Sequence, residues 1–184
     1  MLRLVDLLKL SQINDQEINN LVIMSHTEAQ EKKLSVGKVI TAYDLWRSDY
    51  DNRKKNEFNR DLNTPWEFFN RTHGEGALKN YKYLLSFVQI PINKKLVFTG
   101  FYKIIGRRPV SEKILHPVQQ TPMIKHEENI LEYDDRLKDY EGKLILDGWK
   151  FTPNIKRNLQ KNKDVFLVKA ILLEIPEHKF NHQI

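Results

Sequence analysis

The sequence predicts an α+β domain: a strongly bent antiparallel or mixed sheet with short helices at its periphery. Three stretches carry this expectation. Tyr81–Ile105 (YKYLLSFVQIPINKKLVFTGFYKII) holds two aromatic and β-branched runs on either side of a Pro-Ile-Asn-Lys-Lys connection, as in an antiparallel hairpin. Asp164–Ile175 (DVFLVKAILLEI) is a near-continuous apolar run, suited to a strand covered on both faces. Thr64-Pro65-Trp66-Glu67 carries a cap threonine, a proline at the first helical position and a glutamate three residues after the cap. Strand signals outnumber helix signals, and no internal repeat is evident.

In chain order, Leu2, Leu4, Val5, Leu7 and Leu8 form an amphipathic opening that fits either a short helix or an edge strand. Ser11 to Asn20 is a polar connection in which Asn14 and Glu17 have the spacing of a helix cap. Leu21-Val22-Ile23-Met24 reads as a strand, because the apolar run is short and leads into Ser25-His26-Thr27. Residues 28–63 are the most polar third. Within them Arg47 to Arg60 (RSDYDNRKKNEFNR) mixes both signs of charge, as a solvated loop or helix face does, or a loop that contacts phosphate. Trp66, Phe69 and Phe68 are expected to face inward on the short helix that follows, and Gly74 and Gly76 to end it.

In the hairpin, Tyr81, Tyr83, Leu85 and Phe87 share one face, and Leu84, Val88 and Ile90 the other. In its second strand Leu96, Phe98, Tyr102 and Ile104 alternate with Val97, Thr99, Phe101 and Ile105. Gly100 interrupts that strand and predicts a bulge or a close approach by another backbone. Residues 106–130, with Pro109, Pro117 and Pro122, read as a long connection. Lys143–Phe151 predicts a further strand, and Ile155–Lys163 a basic segment with one helical turn.

At 184 residues the chain is read as one domain, 1–184, long enough to bury a core. Its 30 basic residues exceed its 24 acidic ones, giving a net charge of +6 that suits a polyanionic partner without requiring one. The absence of cysteine excludes disulfides, thiolate zinc sites and cysteine catalysis. The opening is too charged and broken for a secretory signal, and no apolar run approaches the roughly 20 residues that cross a bilayer. A cytoplasmic protein without a membrane partner is expected.

The sequence contains no phosphate-binding G-x-x-x-x-G-K-[ST] loop, no G-x-G-x-x-G turn, no G-x-S-x-G elbow and no H-E-x-x-H pair. No catalytic residue, cofactor or metal is therefore expected. The nearest catalytic alternative is Glu141-Gly142-Lys143, the E-x-K half of a metal-dependent nuclease site, with Asp134, Asp135 or Asp139 as partner. Its glutamate precedes a strand rather than ending one.

Binding remains. Basic clusters at Arg53, Lys54 and Lys55, at Arg107 and Arg108, and at Lys156 and Arg157 fall in connections, where a sheet scaffold can present them to phosphates. Trp66 and Tyr102 lie in apolar-periodic segments and read as core. Trp46 and Trp149 have more polar neighbours and fit either core or a stacking surface for a base. The expected ligand is duplex DNA, with a modified or flipped base as its distinguishing feature. A protein-interaction domain with a solubilising basic surface is the remaining alternative.

The combination of LVFTGFYKIIG, YDDRLKDYEGKLIL and an apolar strand ending KAILLEI resembles the N-terminal region of GIY-YIG nuclease family proteins. LRLVDLLKL and NYKYLLSFVQI are also similar, so the resemblance runs loosely over residues 1–180, while 28–63 do not align. It implies a target-recognition module that precedes a separate nuclease domain, in restriction of foreign or modified DNA. The chain has no GIY…YIG pair, so a nuclease domain or subunit becomes an implied partner rather than an activity of these residues. By analogy the bent sheet is expected to approach a PUA-like pseudo-barrel.

Overall fold

The computed structural model describes residues 2–26, 32–33, 39–56, 60–72, 78, 80–110, 127–147 and 167–170. The hairpin is its centre. β5 (Tyr83–Gln89) and β6 (Leu96–Pro109) pair antiparallel from Tyr83↔Lys103 to Gln89↔Leu96. On the free edge of β5 lies β2 (Leu21–His26), in parallel register from Leu21↔Tyr83 to His26↔Val88.

The other edge of β6 is divided. Its start pairs with β8 (Leu144–Asp147), and its second half pairs with β7 (Glu127–Tyr133) from Tyr102↔Tyr133 to Pro109↔Glu127. β8 continues to β9 (Leu167–Ala170), which pairs with β1 (Leu2–Arg3). The seven-stranded sheet is mixed, with order β1-β9-β8-β6-β5-β2 and β7 beside β6. It is not closed into a barrel, and the expectation of an α+β fold with a bent mixed sheet and peripheral helices holds. A separate small ribbon joins β3 (Lys32–Lys33) to β4 (Val39–Ile40).

Helices flank the sheet. α1 (Leu4–Leu10) settles the amphipathic opening as helical, after one short strand pairing. α2 (Asp15–Asn19) is a helix inside the stretch read as a connection; it starts at an Asn14–Glu17 capping box and stops before the strand at Leu21. α3 (Ala42–Lys55) starts at a second box, Thr41 with Asp44. α4 (Pro65–Thr72) starts at Thr64, whose hydroxyl accepts from the Glu67 amide at 3.3 Å. A 3-10 helix, Asp135–Tyr140, leads to Gly142, whose φ of 74° and amide bond to the Phe98 carbonyl make the tight entry to β8.

One detail sorts the core. Ser86 pairs with Gly100, yet Phe87 pairs with Phe98, so Thr99 is an extra residue on β6. The bulge reverses the in-out alternation beyond it. Phe101 therefore joins Leu96 and Phe98 on one face, while Tyr102 joins the face of Val97. Strict alternation had placed Tyr102 with Phe98; the inserted residue corrects that assignment. β6 also runs on to Pro109 and is matched by β7, so part of 106–130 is ladder rather than connection.

The two faces of the sheet are covered differently. Leu4, Leu7 and Leu8 of α1, with Leu137, pack on Leu85, Phe87, Phe98 and Phe101. The void left there is about 10 Å³, room for no more than a single water. On the other face Trp46, Tyr50, Trp66 and Phe69 of α3 and α4 cover Val88, Val97 and Ile145.

Candidate functional site

The face under α3 and α4 holds charge in its interior. In α3, Trp46, Asp49, Tyr50 and Arg53 lie on one helical stripe, so the buried side carries an ion pair as well as aromatic rings. Arg53 Nε donates to Asp49 Oδ2 at 3.0 Å, and its Nη1 donates to Glu141 Oε1 at 3.0 Å, in the turn before β8. Arg60, from the segment joining the two helices, donates to the same Glu141 oxygen at 2.5 Å and reaches Glu67 Oε1 at 2.6 Å. Tyr102 donates to Glu67 Oε2 at 2.9 Å and accepts from Arg60, and Tyr133 donates to Glu141. The Arg60 guanidinium carbon sits 4.4 Å from the centre of the Tyr133 ring.

This clasp ties α3, α4, β6, β7 and the turn before β8 to one another. Gly100 makes room for it: a Cβ there would stand 2.8 Å from the Tyr102 hydroxyl and 3.0 Å from Arg60 Nη2. Sequence reading flagged Gly100, and the close approach is made by side chains. It assigned Glu67 to the helix cap, but the carboxylate turns inward to Arg60 and Tyr102 instead.

Three carboxylates (Asp49, Glu67, Glu141) face two guanidiniums (Arg53, Arg60) in the clasp. Burial pushes Glu67 up, against the Arg60 charge and the Tyr102 hydroxyl that favour its ionised form. Burial also raises Tyr102 and Tyr133, and the Glu67 and Glu141 carboxylates add to the effect, so both phenols stay protonated donors. Burial opposes the charge of Arg60, but the Tyr102, Glu67 and Glu141 oxygens outweigh it and hold the guanidinium charged.

Two smaller polar systems share this face. Asn70 Oδ1 lies 2.9 Å from His26 Nε2 and accepts from Ser86 at 3.0 Å; Thr99 donates to Ser86 at 3.0 Å. Further along, Glu128 accepts from Arg71 at 3.4 Å and Arg108 at 2.5 Å, while Asn129 donates to the Arg71 carbonyl.

The residues singled out for nucleic-acid binding separate into groups. Trp46 is fully buried and Arg53 is committed to Asp49 and Glu141, so both belong to the interior rather than to a surface a duplex can reach. Lys54 and Lys55 are exposed at the end of α3. Arg107 and Arg108 stand on the β6–β7 ribbon, paired with Glu127 and Glu128. Trp149, Lys156 and Arg157 lie outside the described residues. The Arg53–Glu141 bridge brings the end of α3 to the turn that carries Lys138 and Lys143, which are also exposed. Proximity of these two lysine groups had no signal in the sequence, since their tether spans 88 positions.

Two carboxylates of the nuclease alternative are otherwise engaged, while Asp135 and Asp139 stand exposed. Asp134 caps the 3-10 helix and holds Arg136, and Glu141 belongs to the clasp. Among the described residues no group of three His, Asp or Glu is arranged to hold a metal, and no helix is long and apolar enough to cross a membrane. No family model, curated protein or solved structure matches this chain.

Proposed function

We propose that the chain is a non-catalytic DNA-binding module that recognises a duplex target, with a modified or flipped base as the feature it reads. The observation that supports this reading is the partition of charge. Among the described residues six carboxylates are buried (Asp44, Asp49, Glu67, Glu128, Asp134 and Glu141), against four interior guanidiniums (Arg47, Arg53, Arg60 and Arg71). Lys54, Lys55, Lys94, Lys95, Lys138 and Lys143 are all exposed. Drawing acids inward leaves the exterior more basic than the net charge of +6, which favours a polyanion.

The Arg53–Glu141 bridge joins the chain segments that carry two of these lysine groups, which favours a fixed rather than a diffuse partner for phosphates. As the resemblance implies, the module would serve a nuclease domain or subunit in restriction of foreign DNA, in the cytoplasm. The test is a titration with unmodified, methylated and hydroxymethylated duplexes of one sequence at two salt concentrations. Salt-sensitive binding with preference for one duplex is expected; no binding at low salt would overturn the reading.

A further inference from the structure

The turn between β5 and β6 presents an isoleucine to solvent. Ile92 is 88% exposed, the most exposed large apolar side chain among the described residues, and Lys94 and Lys95 beside it are exposed too. An isolated exposed apolar residue is ordinary on a protein surface. This turn is built differently. Ile90 donates to the Lys95 carbonyl at 2.8 Å and accepts from the Lys94 amide at 2.9 Å. Asn93 accepts from the Lys95 amide at 3.0 Å, and Gln89 donates to the Lys94 carbonyl at 3.2 Å. Lys94 closes the turn at φ 60°, a left-handed conformation that glycine or asparagine adopts at lower cost.

The tip is thus a fixed projection in which a lysine occupies a glycine-type position and a branched apolar side chain points away from the core. No acidic residue lies between Ile90 and Lys95. Cations beside an exposed apolar point are complementary to a nucleic acid, where phosphates flank a base stack that an apolar wedge can enter. Ile105, 59% exposed on the β6–β7 ribbon, stands in a mixed setting instead, with the Glu127 and Glu128 carboxylates beside Arg107 and Arg108.

We infer that the β5–β6 tip is a wedge: Ile92 inserts at a base step while Lys94 and Lys95 beside it hold neighbouring phosphates. This rests on the DNA-binding reading and adds to it a mechanism of deformation. It suits a module that must expose a base, since unstacking one step lowers the cost of extruding its neighbour.

The experiment uses a duplex carrying 2-aminopurine beside a flexible TA step, read by fluorescence for unstacking and by anisotropy for affinity. The full chain is expected to raise the fluorescence on binding. Ile92→Ala is expected to abolish the rise and weaken affinity on the order of 10-fold, with the salt slope retained. Lys95→Gln is expected to lower the slope by about one, and Ile105→Ala to leave both readouts unchanged. Binding by Ile92→Ala with undiminished fluorescence overturns the wedge and leaves DNA binding standing. No binding by the unmodified chain overturns both.

Discussion

The two faces of the central sheet receive alternate side chains of the same strands, yet they are covered in opposite ways. Under α1 the buried cluster is apolar, with Leu4, Leu7 and Leu8 on Leu85, Phe87 and Phe98. Under α3 and α4 the aromatic core of Trp46, Trp66 and Phe69 borders a buried network of five charged groups. Apolar contacts tolerate small shifts in register, whereas charge pairs tolerate few, because a displaced ion loses its partner in a medium that does not solvate it. The first face holds the sheet; the second fixes where α3, α4 and the turn before β8 stand relative to one another.

Single substitutions test that contrast. The largest loss is expected from Glu141→Ala, which leaves Arg53 and Arg60 without their shared oxygen and costs about 3–5 kcal/mol in urea unfolding. Phe98→Ala on the apolar face is expected to cost a similar ~3–5 kcal/mol through cavity formation. The two differ in coupling. Glu141→Leu with Arg60→Met should be strongly non-additive, by more than about 1 kcal/mol, while Phe98→Ala should add simply to changes in the clasp. Additive behaviour inside the clasp would break the comparison. Gly100→Ala is expected to cost about 1–3 kcal/mol by displacing Tyr102 and Arg60.

The smallest effect sharpens the comparison at the edge of the apolar face. Hydrogen bonds from Arg136 hold the Glu17 carboxyl down at about 2, from an ordinary 4.5, despite partial burial. A lowered carboxylate stabilises the fold above its unfolded value, and that contribution is lost as pH falls from about 4.5 toward 2. Glu17→Gln should therefore flatten the acid limb of the urea midpoint in that window and leave Tyr102 and the clasp untouched. An unchanged acid limb would remove the Arg136 pair from the account.

Much of the fold could be read locally. Asn14–Glu17 and Thr64–Glu67 announce helix starts because capping is settled within four residues. The hairpin follows from alternation and a polar turn. Helix α3 was harder to see, because its buried stripe carries Asp49 and Arg53, and hydrophobic periodicity misses a charged interior. The Thr99 bulge was flagged only through Gly100, and one inserted residue is enough to reassign Phe101 and Tyr102. The clasp itself depends on contacts across tens of residues, which no local pattern encodes. Arg53 illustrates the limit: in sequence it belongs with Lys54 and Lys55, but in the fold it is their buried anchor.

The central claim is that the charged face organises a phosphate-binding surface while the apolar face serves only as scaffold. The most direct test compares the salt dependence of duplex binding for the unmodified chain, for Lys54→Gln with Lys55→Gln, and for Lys9→Gln with Lys82→Gln. Lys9 lies on α1 and Lys82 at the far end of the hairpin, and both are exposed. The account predicts that log affinity falls linearly with log salt, that the first pair lowers the slope by about one to two, and that the second leaves it unchanged. Equal slopes for both pairs, or no binding at low salt, would contradict it.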